Sequence, residues 1–244
     1  MPDPSHPELR LTATLRQWFA EQSARDGFGV AVKRLASLLW EFVRDSLPSR
    51  RRQRYGDMQY DWDYHVDTTS ATVGWRARLL GLFHSPYQPT DPALFHKMLA
   101  SVVVNFRQFT FIDIGSGKGR VLLIASDYPF RRILGVELLP ELHRIAQENI
   151  SRYKSDWQKC FTIESICADA REFVFPEEPT LLYLFSPLPE SGFAQFLANL
   201  ERSLRDHPRP LLLIYHNPLL EHLLVLKPIL KKISGTHQYS IYTA

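Results

Sequence analysis

Five apolar runs of strand length, at 109–114, 132–137, 161–166, 180–185 and 210–215, recur through the second half of this chain, and helical spacing lies between them. Leu142, Ile145, Ala146, Ile150 and Tyr153 form one apolar stripe, opened by Pro140, a residue favoured in a helix's first turn. Phe193, Phe196, Leu197, Leu200 and Leu204 form another. Strand candidates thus alternate with helical ones along the chain. The pattern therefore specifies an α/β fold, a doubly wound and mostly parallel sheet. Right-handed crossovers then place the ligand crevice at the C-terminal ends of the strands.

The first third of the chain reads differently. Residues 8–47 spell two helices: Leu11, Leu15, Trp18 and Phe19 mark one stripe, and Leu35, Leu38, Leu39, Phe42 and Val43 the other, with Pro48 as a stop. Alone such a pair is marginal, so it is expected to cap the main domain, although the second stripe is wide enough for a partner or a membrane surface. The net charge of +3 arises within the first 60 residues, concentrated at Arg50, Arg51, Arg52 and Arg54. That cluster suits a solvated linker, or a contact with phosphate. Residues 55–75 then hold no Lys or Arg but carry Asp57, Asp61, Asp63 and Asp67 among Tyr55, Tyr60, Trp62, Tyr64 and Trp75. This is either a surface segment whose aromatics pack on the core or an acidic, aromatic rim suited to a cationic substrate group. With 45% hydrophobic and 23% charged residues, no apolar run near the ~18 residues of a membrane span, and no signal-peptide pattern after Met-Pro-Asp-Pro, the chain reads as a cytoplasmic globular protein. Cys160 and Cys167 have no disulfide or metal-ligand spacing, and the nine histidines form no spaced cluster, so no metal is expected.

The most informative stretch is Phe111-Ile112-Asp113-Ile114-Gly115-Ser116-Gly117-Lys118-Gly119-Arg120, which ends the first run and opens a helix through Val121, Leu122, Ile124 and Ala125. Its glycines permit a tight turn and close approach of a ligand to the backbone. They are spaced G-x-G-x-G, unlike the G-x-G-x-x-G of a dinucleotide fingerprint, which counts against a nicotinamide-dependent dehydrogenase. Asp113, two positions before the first glycine, would oppose a pyrophosphate but suits an ammonium group. Glu137 closes the second run, where a carboxylate can accept from two ribose hydroxyls. Asp169 follows the third, where an acceptor can meet an adenine amino group. Each alone is an ordinary cap or turn residue; three at successive strand ends make a binding site.

On the Asp113–Gly119 loop and Glu137, the sequence resembles the class I S-adenosylmethionine-dependent methyltransferases, over about residues 85–244. Its Gly-Ser-Gly-Lys-Gly-Arg and Gly-Val-Glu-Leu wording is similar to that of a group of bacterial members. It is more distantly similar to the non-SET protein-lysine methyltransferases, whose upstream segment closes over the cofactor; Tyr87-Gln88-Pro89-Thr90 holds that place here. The resemblance implies S-adenosylmethionine as cofactor, held by Asp113, Gly115, Ser116, Gly117, Gly119, Glu137, Asp169, Tyr87 and Thr90. It also implies a Rossmann-like methyltransferase sheet of six or seven strands over residues 85–244, ending in an antiparallel hairpin, behind a helical extension at 1–84. The tail supplies a helix over 219–231 and strands near 231–234 and 238–243, turned by Gly235.

Methyl transfer from a sulfonium is an in-line displacement, so the protein chiefly positions the nucleophile and strips its water. The class places its variable substrate motif after the fourth strand, here Leu184-Phe185-Ser186-Pro187-Leu188-Pro189. Members that methylate amide or base nitrogens carry Asn or Asp, two prolines and an aromatic residue there; Ser186 and Leu188 depart from that pattern and argue against a standard adenine or glutamine methyltransferase. Ser186, with Tyr215 and Asn217 from Tyr215-His216-Asn217-Pro218 after the fifth strand, are the candidate catalytic residues. His216 is either a base or a hydrogen-bonded strand end. The expected activity is methyl transfer to a protein lysine amine. A small-molecule amine or hydroxyl comes next as acceptor, and a non-catalytic cofactor-binding module is the reading from another class. Nucleic acid is set aside as a partner.

Overall fold

The computed structural model describes residues 11–46, 58–69, 88–186 and 188–244. Helices α1 (Leu11–Asp26) and α2 (Phe28–Ser46) form the expected N-terminal pair, turned at Gly27, whose φ of 88° needs glycine. Polar ties from α1 to the rest of the chain include Arg25 to Glu190 (3.1 Å) and Ser191 Oγ to Glu21 (3.3 Å). Arg50 to Arg54 lie outside the described residues. After the short helix α3 (Met58–Tyr64) comes α4 (Pro92–Ala100), started by Asp91, whose side chain accepts from Leu94 N, and by Pro92 in the first turn.

The alternation read from the sequence then follows: β1 (Thr110–Ile114), α5 (Arg120–Ala125), β2 (Arg132–Glu137), α6 (Pro140–Arg152), β3 (Ile163–Cys167), β4 (Thr180–Phe185), α7 (Glu190–Asp206) and β5 (Leu211–His216). The chain ends in α8 (Glu221–Val225), β6 (Lys231–Gly235) and β7 (Tyr239–Thr243). The helix expected over 219–231 is thus only five residues long. Pro228 disfavours helical backbone at Lys227, and Leu226 caps the helix just before it.

The seven strands form one sheet in the order β3-β2-β1-β4-β5-β7-β6, parallel except for β7, which runs antiparallel to both neighbours. Alternate residues feed two cores. Ile112, Ile114, Leu182, Leu184, Leu213 and Tyr215 meet α7 on one face, through Phe193, Phe196, Leu197 and Leu200. Phe111, Leu181, Tyr183, Leu212 and Ile214 meet α4 and α5 on the other. Such two-sided burial is what the uninterrupted apolar runs required. It leaves the C-terminal ends of β1, β2, β4 and β5 as the place where polar residues interrupt the core.

Candidate functional site

The loop after β1 is held by backbone alone at first: Gly115 N and Ser116 N both donate to Val136 O (2.8 and 3.1 Å), and Gly119 N donates to Ser116 O (2.8 Å). Gly115, Gly117 and Gly119 have φ of 78°, 55° and 83°, so all three glycines of the motif occupy the left-handed region. Ser116, expected among the cofactor contacts, turns its hydroxyl onto β2, where Oγ has no hydrogen-bond partner among the described residues. A Cβ on Gly135 would lie 2.7 Å from that Oγ and 2.6 Å from Leu122 Cδ1. Gly135 is therefore what lets the loop lie down on the sheet; in the sequence it stood only as part of the Gly-Val-Glu-Leu wording.

Asp113 and Glu137 come together at the ends of β1 and β2. Asp113 pairs in register with Gly135, two residues before Glu137, so both carboxylates project to the same face of neighbouring strands. Glu137 accepts from Gly117 N (2.7 Å) at Oε2 and from Leu139 N (2.8 Å) at Oε1. Burial raises its pKa, and the N–H groups of Leu139, Gly117 and Leu138 offset part of that. Asp113 is 2% exposed and accepts no hydrogen bond among the described residues. Burial and the neighbouring Glu137 charge push its pKa well above the ordinary carboxylate range. A buried acid without a partner is costly, and a cationic ligand would offset that cost. Asp169 is differently placed: its oxygens accept from Arg171 N and Nε (both 2.9 Å) and pair with the Arg171 guanidinium. An adenine amino group at Asp169 would share the carboxylate with Arg171.

Tyr87 lies outside the described residues. Thr90 is buried at the same strand ends, its hydroxyl 2.9 Å from Tyr183 Oη, which in turn lies 2.7 Å from His216 Nδ1. Tyr183 is the register partner of Asp113 on β4. Thr90 thus anchors the upstream segment to the sheet through a chain of hydrogen bonds. Burial lowers the pKa of His216 to about 4, and its ring stacks on Phe185 with centroids 3.9 Å apart. It is a neutral, hydrogen-bonded strand end. Tyr183 was missed because Leu-Leu-Tyr-Leu-Phe reads as plain core.

Of the candidate catalytic residues, Ser186 and Asn217 meet. Ser186 Oγ donates to Asn217 O (2.7 Å), and the two have φ of 42° and 50°, uncommon for residues other than glycine. Left-handed backbone at the ends of two adjacent central strands is the sort of strain that functional sites hold. Tyr215 lies deeper. Its side chain alternates to the opposite face from His216, is 1% exposed and packs on Phe193, and its hydroxyl accepts from Leu220 N (3.3 Å). Its ring belongs to the core under α7, and only its hydroxyl reaches the strand ends, beside the Ser186 side chain.

The acidic rim also gives way. Asp61 accepts from Thr68 N (2.7 Å) and Thr69 N (2.9 Å) and pairs with Arg120 Nη2 (3.2 Å), while Asp67 Oδ1 receives Lys118 Nζ (2.8 Å). Two of its acids are thus engaged with cations of the glycine loop; Asp63 is exposed, and Asp57, Tyr55 and Trp75 lie outside the described residues. Among the described residues no helix is long and apolar enough to cross a membrane.

The parallel 3-2-1-4-5 order, closed by the antiparallel pair β7 and β6, makes up the sheet that the resemblance implied. The fold is a Rossmann-like, mostly parallel sheet of seven strands between helices. No family model matches the chain, and no curated protein does. Among solved structures it is similar to an RNA methyltransferase from Salinibacter ruber in complex with S-adenosyl-L-homocysteine, at 20% identity over 64% of this chain and 92% of that one, with a TM-score of 0.42. A ribosomal protein L11 methylase from Lactobacillus delbrueckii subsp. bulgaricus gives 13%, 62% and 76%, with 0.44. A predicted N6-adenine-specific DNA methylase from Listeria monocytogenes gives 12%, 64% and 51%, with 0.47. Proteins named for RNA and DNA stand among these, so the setting aside of nucleic acid as a partner is corrected: the fold gives no ground for it.

Proposed function

We propose that this chain is an S-adenosylmethionine-dependent methyltransferase, with the cofactor at the C-terminal ends of β1 and β2 and the acceptor at the ends of β4 and β5. One observation carries the reading: a buried, unpartnered Asp113 carboxylate beside a glycine loop that Glu137 braces through Gly117 N. The residues fit the cofactor. Asp113 meets an ammonium group with a charge that nothing else described here neutralises. The Glu137 carboxylate accepts backbone N–H groups from Gly117 and Leu139, with Leu138 beside them, and of its roughly four lone-pair sites it keeps one for a ribose hydroxyl. When bound, the cofactor supplies an electrophilic methyl group on a sulfonium.

The chain's own part is then geometric. The left-handed loop lets the ligand approach backbone without Cβ atoms in the way. The Ser186–Asn217 tie fixes where β4 and β5 end, and so where an in-line nucleophile must stand. His216, neutral and hydrogen-bonded through Nδ1 to Tyr183, holds the Thr90 anchor. The expectation of a protein-lysine acceptor rested on the resemblance to the non-SET protein-lysine methyltransferases and, from the residues themselves, on free carboxylates between residues 57 and 67. With Asp61 and Asp67 engaged by Arg120 and Lys118, that ground is withdrawn, and the proposal covers the reaction without naming the acceptor. Methyl-labelled S-adenosylmethionine incubated with fractionated protein, RNA and small molecules of a bacterial extract tests it. Label should enter one fraction with the parent and not with Asp113→Asn; transfer that is equal for both, or absent from every fraction, counts against the proposal.

A further inference from the structure

We infer that Lys118 and Arg120 are positioning residues that bind the glycine loop and residues 58–69 into one unit, so that ligand affinity at the loop depends on a segment about fifty residues upstream. The inference rests on the cofactor site proposed above and assigns it a second, remote component.

The charged members of Gly-Ser-Gly-Lys-Gly-Arg are among the most buried cations of the described chain. Lys118 is 0% exposed and donates from Nζ to Asp67 Oδ1 (2.8 Å) and Thr69 O (2.9 Å). Arg120, the first residue of α5, donates from Nε to Thr68 Oγ1 (2.6 Å) and from Nη2 to Asp61 Oδ1 (3.2 Å), with its guanidinium 4.8 Å from the centre of the Tyr60 ring. Asn149 on α6 completes the joint. Its amide nitrogen donates to Asp67 O (2.8 Å) and Lys118 O (2.9 Å), and its oxygen accepts from Asp67 N (2.8 Å).

Burying a cation is costly unless it is paired and hydrogen-bonded, and breaking such a pair costs more than making it gains. Lys118 and Arg120 therefore hold their partners tightly, and their partners are not ligand groups. A lysine after a glycine-rich turn can grip a phosphate in other folds; here its ammonium is committed to Asp67 and Thr69. The loop is consequently clamped twice. Glu137 holds Gly117 N from one side, and the segment 61–69 holds residues 118 and 120 from the other. Gly117 and Lys118 are neighbours in the chain, so the hold of Glu137 on one and of Asp67 on the other meet in a single peptide unit. The two sites are linked, so ligand binding at the loop and docking of 58–69 must favour each other equally.

The test compares the parent chain with Lys118→Met, which keeps the aliphatic stem, and with the milder Asp67→Asn, which keeps an acceptor. Affinity for S-adenosyl-L-homocysteine is measured by calorimetry, and amide exchange is followed over 58–69 and 115–119. Affinity should fall at least about tenfold in Lys118→Met, and less in Asp67→Asn, while the circular dichroism of both stays that of the parent. In the parent, the ligand should slow exchange across 58–69, a segment outside the cofactor contacts proposed above; in Lys118→Met that protection should vanish. A merely structural role would lower the melting temperature without this reciprocal protection. Parent-like affinity in a folded Lys118→Met, or unchanged exchange at 58–69 on ligand addition, overturns the inference. Should the parent bind no S-adenosyl-L-homocysteine, the proposed function falls, and the clamp is then judged without ligand. Exchange at 115–119 that is faster in Lys118→Met supports it, and exchange that is equal refutes it.

Discussion

Replacing Glu137 by glutamine exchanges one carboxylate oxygen for an amide nitrogen and removes a charge, with almost no change of shape. In the folded chain both oxygens accept backbone N–H groups, from Gly117 at 2.7 Å and Leu139 at 2.8 Å. Glutamine offers one acceptor and one donor, so one of these buried N–H groups loses its partner, at about 1–3 kcal/mol. The charge works the other way. Burial raises the Glu137 pKa despite those N–H groups, which means that the ionised form is disfavoured in the unliganded fold. The two effects oppose each other, and the unliganded variant should melt within roughly 4 °C of the parent, about 1 kcal/mol for a chain of this size. Ligand binding has no such compensation. Losing one charge-assisted hydrogen bond to a ribose hydroxyl costs about 1.5–3 kcal/mol, or roughly 10- to 150-fold in the dissociation constant. Calorimetry with S-adenosyl-L-homocysteine, beside a melting curve, reads both quantities. Unchanged affinity in a folded variant would refute the assignment. So would a melting temperature lowered by more than about 10 °C, since Glu137 would then be a structural brace.

Gly135→Ala should destabilise the fold by about 1–3 kcal/mol, because its Cβ would stand 2.6 Å from Leu122 Cδ1 and 2.7 Å from Ser116 Oγ. In α7, Gly192→Ala meets nothing closer than 3.6 Å and should gain about 0.5–1 kcal/mol; calorimetric melting that shows the same sign for both contradicts the packing argument. Tyr183→Phe leaves Thr90 and His216 without their shared hydroxyl and should cost about 1–3 kcal/mol, with faster amide exchange at 88–91, whereas Tyr215→Phe should leave methyl transfer within about twofold. The raised pKa of Asp113 means that the folded chain holds that proton more tightly than the unfolded one. Its stabilising contribution is present below the ordinary carboxylate pKa and is lost as pH rises through the folded value. A cationic ligand favours the ionised form, so binding should release a proton and tighten as pH rises through that pKa. Calorimetry in two buffers of different ionisation enthalpy would show this slope, and Asp113→Asn should abolish it.

The parallel strands were legible because burial on both faces leaves an unbroken apolar run, whose ends fall within a residue or two of β1, β2, β4 and β5. Glycine spacing, Asp113 and Glu137 were legible because each answers a local demand: left-handed backbone, or a carboxylate at a strand end. What failed was long-range partnership. Asp61 and Asp67 looked like a free acidic surface because their counterions, Arg120 and Lys118, lie more than fifty residues away in sequence. Tyr215 looked like a strand-end polar group, but alternation along β5 turns it to the α7 face and His216 to the other. Tyr183 gave no signal, since a tyrosine hydroxyl inside an apolar strand shows its role only when Thr90 and His216 are brought to it. Helical spacing alone runs on to residue 231, whereas Pro228 keeps α8 to five residues.

The most direct measurement of ligand identity is the melting temperature of the intact chain with S-adenosyl-L-homocysteine and with NAD, each titrated to saturation. At a hundredfold excess over its dissociation constant a true ligand stabilises by about 2.7 kcal/mol, a rise of roughly 5–11 °C here. S-adenosyl-L-homocysteine should give that rise and NAD none, because the left-handed loop has G-x-G-x-G spacing rather than the dinucleotide fingerprint, and Asp113 beside it is placed for an ammonium group. A rise with NAD and none with S-adenosyl-L-homocysteine would contradict the account.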